Sequence, residues 1–244
     1  KLQQYAGVDQ TGEFDNATIR MMMTARCQNP DILDESSRLT RFFLGKESRR
    51  SKRNVGQSVR KWAKLDLTFA FENTTPQNSQ AKDVISSAFS VWSECSRLSF
   101  KLVDISETPD IKVKFASRLH EPPKNCKFDG PEGVKAHAFY PPVGLAHFDE
   151  EEDWSDNCVL YTVALHEIGH LLGLGHSYYR TSIMFAYFDT AFVQSQCEAG
   201  TRPLASHDIQ QVRALYGGRT CDKAENVETE APTVSKPQPS AGNL

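Results

Sequence analysis

The segment His166-Glu167-Ile168-Gly169-His170-Leu171-Leu172-Gly173-Leu174-Gly175-His176 carries three histidines and a glutamate at spacings that suit a metal ion. Residues four apart on a helix share one face, so His166 and His170 can aim ring nitrogens at a single Zn²⁺ with Glu167 beside it. A continued helix would carry His176 about 9 Å further along and about 120° round, out of reach. Glycine tolerates the left-handed conformation that ends helices, so Gly173 and Gly175 are expected to turn the chain and bring His176 back as third ligand. Three histidines leave one tetrahedral position open, and an open position marks a catalytic zinc.

A bare HExxH arises by accident in about one such chain in a hundred; the added glycine and third histidine take that to about one in tens of thousands. Chance is therefore rejected. The bland alternative is a buried helix whose histidines are hydrogen-bonded core residues. A methionine, Met184, follows in Ser182-Ile183-Met184-Phe185. Alone it reads as plain core.

The elements that must position these residues follow from periodicity. Leu65, Leu67, Phe69 and Phe71 alternate as a strand, and Val84, Ile85, Ala88, Phe89, Val91 and Trp92 mark the apolar face of a helix. Residues 98–102 and 111–115 alternate again, and 136–139 and 146–149 give two more strands with one histidine each, His137 and His147. The zinc helix is expected over 161–172. Ser206 is expected to cap a last helix with Ile209, Val212 and Leu215 inward, ending at Gly217-Gly218. Strands interleaved with helices predict an α+β fold with a mixed sheet. Before it, Leu2, Tyr5 and Val8, then Ile19, Met22 and Met23, recur at helical spacing about the turn Thr11-Gly12, predicting a small helical piece over 1–53.

A chain of 244 residues is long enough for one full domain plus a smaller piece, and a net charge of −3 names no partner. No run of 18 apolar residues exists and the amino end lacks the pattern of a signal peptide, so no membrane span is expected and the first residues read as a start inside a longer precursor. Six cysteines, Cys27, Cys95, Cys126, Cys158, Cys197 and Cys221, stand singly, which argues disulfides over a cysteine zinc ribbon. The sequons Asn16-Ala17-Thr18 and Asn73-Thr74-Thr75 agree with a secreted glycoprotein. Residues 219–244 are rich in Glu, Pro, Ser and Thr with almost nothing apolar and read as a disordered linker.

The zinc helix with Met184 downstream resembles the metzincins, whose Met-turn floors the metal. More narrowly, Leu2 to Gly7 with Thr11-Gly12, and Ala25-Arg26-Cys27-Gln28-Asn29-Pro30-Asp31, resemble the end of a matrix metalloproteinase propeptide with its cysteine switch. The resemblance covers residues 1 to about 218. It implies a twisted mixed five-stranded sheet with three helices over 54–218, preceded by the propeptide segment over 1–53. It also implies that the Cys27 thiolate, a strong Zn²⁺ ligand, closes the open position, with Arg26 and Asp31 pinning its loop. Ala25 and Gln28 stand where the family has Pro and Gly, which puts a Cβ where none is usual. Arg50-Ser51-Lys52-Arg53 fits the pattern cut by furin-like convertases, with cleavage after Arg53; the bland readings are a solvated charge run or a nucleic-acid patch, and no nucleic-acid partner is expected.

The same resemblance implies a second, structural zinc on His137 and His147, with His120 as the nearest further ligand and Pro122 where the family has Asp. Asp129, Asp149 and Glu152 would offer hard oxygens to Ca²⁺. Substrates would lie extended along residues 134–138, with Ala136 and Ala186 at the cleft edges and Thr162 setting the pocket for the side chain after the cut bond. Lys135 stands where relatives carry an apolar residue. Asp208 matches the aspartate that holds the new amino terminus in relatives, and Cys197 is expected to be disulfide-tied in the long loop after Met184. Taken together the resemblance implies a secreted, latent zinc endopeptidase of the extracellular matrix, which protein inhibitors of metalloproteinases would bind. Rival readings are another metzincin class and a catalytically silent protein that keeps the metal as a staple while binding a partner.

Overall fold

The computed structural model describes residues 2–32, 60–120, 126–188, 193–195 and 204–219. The basic run ending at Arg53, Pro122, Cys197, Cys221 and residues 220–244 lie outside the described residues. In chain order come α1 (Leu2–Tyr5), α2 (Asn16–Met22), β1 (Arg26–Cys27), β2 (Asp66–Phe71), α3 (Ala81–Cys95), β3 (Ser99–Leu102) and β4 (Ile111–Ala116). A short pair follows, β5 (Leu119–His120) and β6 (Cys126–Lys127), then β7 (Val134–Ala138), β8 (Leu145–Asp149), α4 (Asn157–Leu171) and α5 (Ser206–Tyr216).

The strand order is β1-β7-β8-β4-β2-β3. β3, β2, β4 and β8 run parallel and β7 antiparallel to β8, so the expected α+β domain with five strands and three helices is present. The sheet counts six because Arg26 and Cys27 add β1 to the free edge of β7, in parallel. No periodicity marked that pairing, since a two-residue strand has none to show.

Alternation in β2 puts Leu67, Phe69 and Phe71 inward, where Phe69 stacks on Phe89 of α3 at 4.2 Å. Between the two long helices, the Trp92 indole N–H donates to the Leu165 carbonyl at 3.0 Å. α4 starts at Asn157, earlier than its apolar run suggested, because the Asp156 carboxylate accepts from the N–H groups of Cys158 and Val159. Cys95 and Cys158 are each engaged in a disulfide.

Three local expectations are corrected. Ile19, Met22 and Met23 are 45%, 56% and 80% exposed, so their helical spacing does not mark a core face. The turn between α1 and α2 is held instead by the buried Gln3 amide, which donates to Thr11 Oγ1, the Glu13 carbonyl and Thr18 Oγ1 and accepts from the Gly12 N–H. Ser206 is the first residue of α5 rather than its cap; the Asp208 carboxylate accepts the Ala205 N–H in that role. The Asn73 amide is committed to β4, donating to the Phe115 carbonyl and accepting its N–H at 2.7 Å each, so a glycan on that nitrogen would break the pair.

Candidate metal centre and cleft

α4 ends as the glycine spacing predicts. Gly173 takes φ +100°, and a Cβ there would lie 1.7 Å from the Arg60 carbonyl oxygen, so both the turn and the close approach require glycine. Gly175 is not among the positive-φ glycines. The orphan carbonyls at the helix end are taken up by aromatic donors: the Trp62 indole donates to Leu171 and the Tyr216 hydroxyl to Leu172, each at 2.8 Å.

This turn brings His176 back to His166 and His170, and the ligand atoms of these three and Cys27 all lie within 4.8 Å of one another. Each histidine donates its Nδ1–H elsewhere: His166 to the Ile183 carbonyl at 2.7 Å, His170 to the Leu174 carbonyl at 2.8 Å and His176 to Asp31 Oδ1 at 2.9 Å. That fixes the tautomer and leaves every Nε2 as a lone pair pointing to one centre. Nε2 of His166 and of His170 stand 3.1 Å apart and Cys27 Sγ is 3.5 Å from the latter. Buried lone pairs at such distances repel unless a cation sits between them. Nε2 of His176 and both Glu167 oxygens are buried without a hydrogen-bond partner, which the same cation would explain. The donor set of three imidazoles and a thiol suits Zn²⁺.

Burial sets the electrostatics of the bare cluster. It pulls His166 down to about 3, with His176 adding, and pushes Glu167 up to about 8, opposed by the neighbouring Cys27 thiol. It raises the Cys27 thiol well above its ordinary range, with Glu167 adding. A divalent cation at the centre reverses the directions for Glu167 and Cys27, because it favours their anions. Burial also lowers His176 despite Asp31, so this contact is a neutral imidazole donating to a carboxylate rather than an ion pair. At Asp31 burial pushes upward, but His176 and Arg26, the latter 2.7 Å away, outweigh it and hold the carboxyl below its ordinary value.

Cys27 reaches the centre because residues 25–29 lie between two backbones. On the β7 side Arg26 N–H donates to Gly133 and Gln28 N–H to Ala136, each at 3.2 Å; opposite, Cys27 N–H donates to Ala186 at 3.0 Å and Phe188 N–H to Ala25 at 2.7 Å. Ala136 and Ala186, the expected cleft edges, are thus engaged by residues 25–29. Asn29 extends the pairing in a way no sequence pattern announced: its buried side-chain amide donates to the Ala138 carbonyl at 2.8 Å and accepts the Ala138 N–H at 3.2 Å. Thr162, half-buried on α4, donates its hydroxyl back to the Cys158 carbonyl at 2.9 Å.

Met184 is buried against α4, where a Cβ on Gly169 would lie 2.2 Å from its sulfur. Asp208 secures this turn, accepting from the Ser182 hydroxyl and from the Ile183 N–H at 2.9 Å. With Ala205 as third donor and 1% exposure, its oxygens are spoken for. The expectation that it awaits a new amino terminus is therefore corrected to a brace under His166, acting through the Ile183 peptide. A polar residue in the first turn of a helix carries no signal of that role.

His120, His137 and His147 form a second cluster within 4.8 Å. His120 donates Nδ1–H to the Ser117 carbonyl at 2.7 Å, and its Nε2 stands 3.4 Å from His137 Nε2, itself 3.1 Å from His147 Nδ1. Burial keeps all three neutral, taking His147 to about 3. Three imidazoles also suit Zn²⁺. The acidic residues gather near the loop after β6 and the turn after β8. Asp129 Oδ1 accepts the Val134 N–H at 2.7 Å, while Asp149 Oδ2 and Glu152 Oε1 are buried without a partner.

Comparison with known proteins decides the family. The family model described as Matrixin matches residues 61–217. The chain belongs to the matrixin family. It is 31% identical over 247 residues to Matrix metalloproteinase-27 of Homo sapiens, covering 97% of this chain and 42% of the relative. Interstitial collagenase of Oryctolagus cuniculus is 34% identical over 225 residues, 89% of this chain and 42% of that protein. Metalloendoproteinase 1 of Glycine max is 34% identical over 220 residues, 85% and 68% respectively. The chain spans between a third and about two fifths of the length of the first relatives it matches. Matrixins are zinc metalloendopeptidases that also use calcium, which agrees with the donor atoms described above.

Proposed function

We propose that residues 54–218 of this matrixin form a zinc-dependent endopeptidase domain, held latent by residues 1–53, and that 219–244 form a linker. The observation that carries this reading is the Cys27 sulfur beside three Nε2 lone pairs, on a segment hydrogen-bonded along both walls of the cleft. His166, His170 and His176 would hold the zinc, with Cys27 filling the remaining position while the segment stays in place.

Zinc, when bound, supplies Lewis-acid polarisation of the scissile carbonyl and an acidified water. Glu167 then takes the proton of the attacking water and passes it to the leaving amine. β7 and the stretch around Ala186 bind an extended polypeptide by its main chain, as they bind residues 25–28 here, so selectivity falls to pockets such as that beside Thr162. The short threonine side chain favours Leu or a longer residue after the cut bond. His120, His137 and His147 hold a second, structural zinc, and the acidic loop takes calcium. Secretion, cleavage after Arg53 by a furin-like convertase, extracellular matrix substrates and inhibition by protein inhibitors of metalloproteinases complete the reading.

Zinc content and casein or gelatin cleavage, measured before and after treatment with a thiol-reactive mercurial, test it. Activity is expected only after treatment, and the uncut Cys27→Ser variant is expected to be active without it. A zinc-loaded chain that stays silent in both tests would leave the silent-staple reading in possession.

A further inference from the structure

The acidic loop carries a feature that family membership does not. Lys135 lies on β7 with its side chain 12% exposed, and its Nζ sits 2.6 Å from Glu152 Oε2, whose side chain is 3% exposed. A lysine buried to this degree is held by its charge partner. The other Glu152 oxygen and Asp149 Oδ2 remain buried and without partners. Asp149 Oδ1 accepts the Glu151 N–H at 2.9 Å. Arg118 brings a second cation: its Nε pairs with Glu151 at 2.8 Å, and its guanidinium lies so close over Gly130 that a Cβ there would be 2.4 Å from Nη2. The carboxylates are therefore partly neutralised from within the chain, and what they lack is less than two bare carboxylates would lack.

We propose that Lys135 is a built-in counter-cation of this loop, lowering its affinity for Ca²⁺ and standing in for much of the ion's stabilising work. The proposal rests on the reading of the loop as a calcium site. Two features make the ammonium effective. It neutralises Glu152 whether or not calcium is present, and it repels a divalent ion placed at the remaining oxygens of the same pair of carboxylates. Because Lys135 belongs to the cleft-edge strand, it also ties β7 to the turn after β8 without an exchangeable ion. A matrixin so equipped keeps its cleft edge in place where free calcium is scarce.

The test is calcium titration by calorimetry and Tm with and without saturating Ca²⁺, on the zinc-loaded full chain and on Lys135→Met, which keeps the stem and removes the charge. Lys135→Met is expected to bind Ca²⁺ at least tenfold more tightly, with a lower Tm than the parent without calcium and a larger gain on adding it. Lys135→Arg, which keeps the charge, should behave as the parent. A Lys135→Met chain that folds only when Ca²⁺ is present supports the proposal in its strongest form, as does calcium binding by the variant alone. Equal affinity and equal Tm gain in parent and Lys135→Met would overturn it while leaving the calcium site standing. Failure of both proteins to bind Ca²⁺ would overturn the calcium reading and the proposal with it.

Discussion

Glu167 is surrounded closely enough that its carboxylate has no hydrogen-bonded protein donor to relax onto, and burial, against the Cys27 thiol, takes it to about 8. Such a group is poised to exchange a proton rather than to hold a structure together. Glu167→Gln should therefore keep the fold and the zinc, measured by metal analysis, while peptide cleavage falls by about 10²–10⁴ or more. Near-normal turnover by a zinc-loaded variant would remove Glu167 from the mechanism. The zinc-helix histidines were legible in the sequence because a helix and one glycine turn translate spacing directly into geometry. Asp208 was misread because its partners, Ser182 and Ile183, belong to a turn that only the folded chain brings beside it. Asn29 went unread since a side-chain amide imitating a peptide leaves no period behind.

At the scale of elements, the parallel strands depend on side chains that stitch their ends. Asp110, just before β4, accepts the N–H and hydroxyl of Thr68 in β2 at 2.8 and 2.9 Å, and Lys64 reaches its other oxygen at 2.8 Å. Burial pushes this carboxyl up, but Lys64 and Thr68 outweigh it and hold it below its ordinary value. A lowered native pKa means that the ionised form is stabilised by folding, so its contribution is present above about pH 4 and is lost as the pH falls through the native value. Asp110→Asn should thus lower stability by about 1–3 kcal/mol near neutrality. In denaturant unfolding, the gap to the parent should close as the pH drops below about 4; a gap independent of pH would assign the loss to packing instead. The strands themselves were legible from alternation, and α3 from its apolar face. The start of α4 was not, since it is set by the Asp156 cap rather than by the apolar run.

For the molecule as a whole, the two histidine clusters make different predictions. The second cluster joins β5, β7 and β8 and includes none of the helix residues, so an ion there ties strands together rather than meeting substrate. His147→Ala should remove one zinc per chain by metal analysis and lower Tm by several degrees, with the remaining activity per folded molecule close to the parent's. Loss of turnover at full folding would place that cluster in the reaction. Membership of the matrixin family, matched over residues 61–217, was legible from the zinc-helix motif. That Arg26 and Cys27 complete the sheet was not, because the pairing partner of β1 lies over a hundred residues away.

That completion has a consequence for handling the protein. A sheet edge with free N–H and carbonyl groups is a template for any extended chain, and β1 hides the edge of β7. Departure of residues 25–29 opens that edge to a substrate and equally to a strand of another copy. On the proposed latent reading the activated form is therefore the aggregation-prone one, and residues 25–29 would protect solubility as well as block the cleft. Concentrating the chain before activation, and diluting it at the moment of activation, should preserve protein that the reverse order would lose to precipitation.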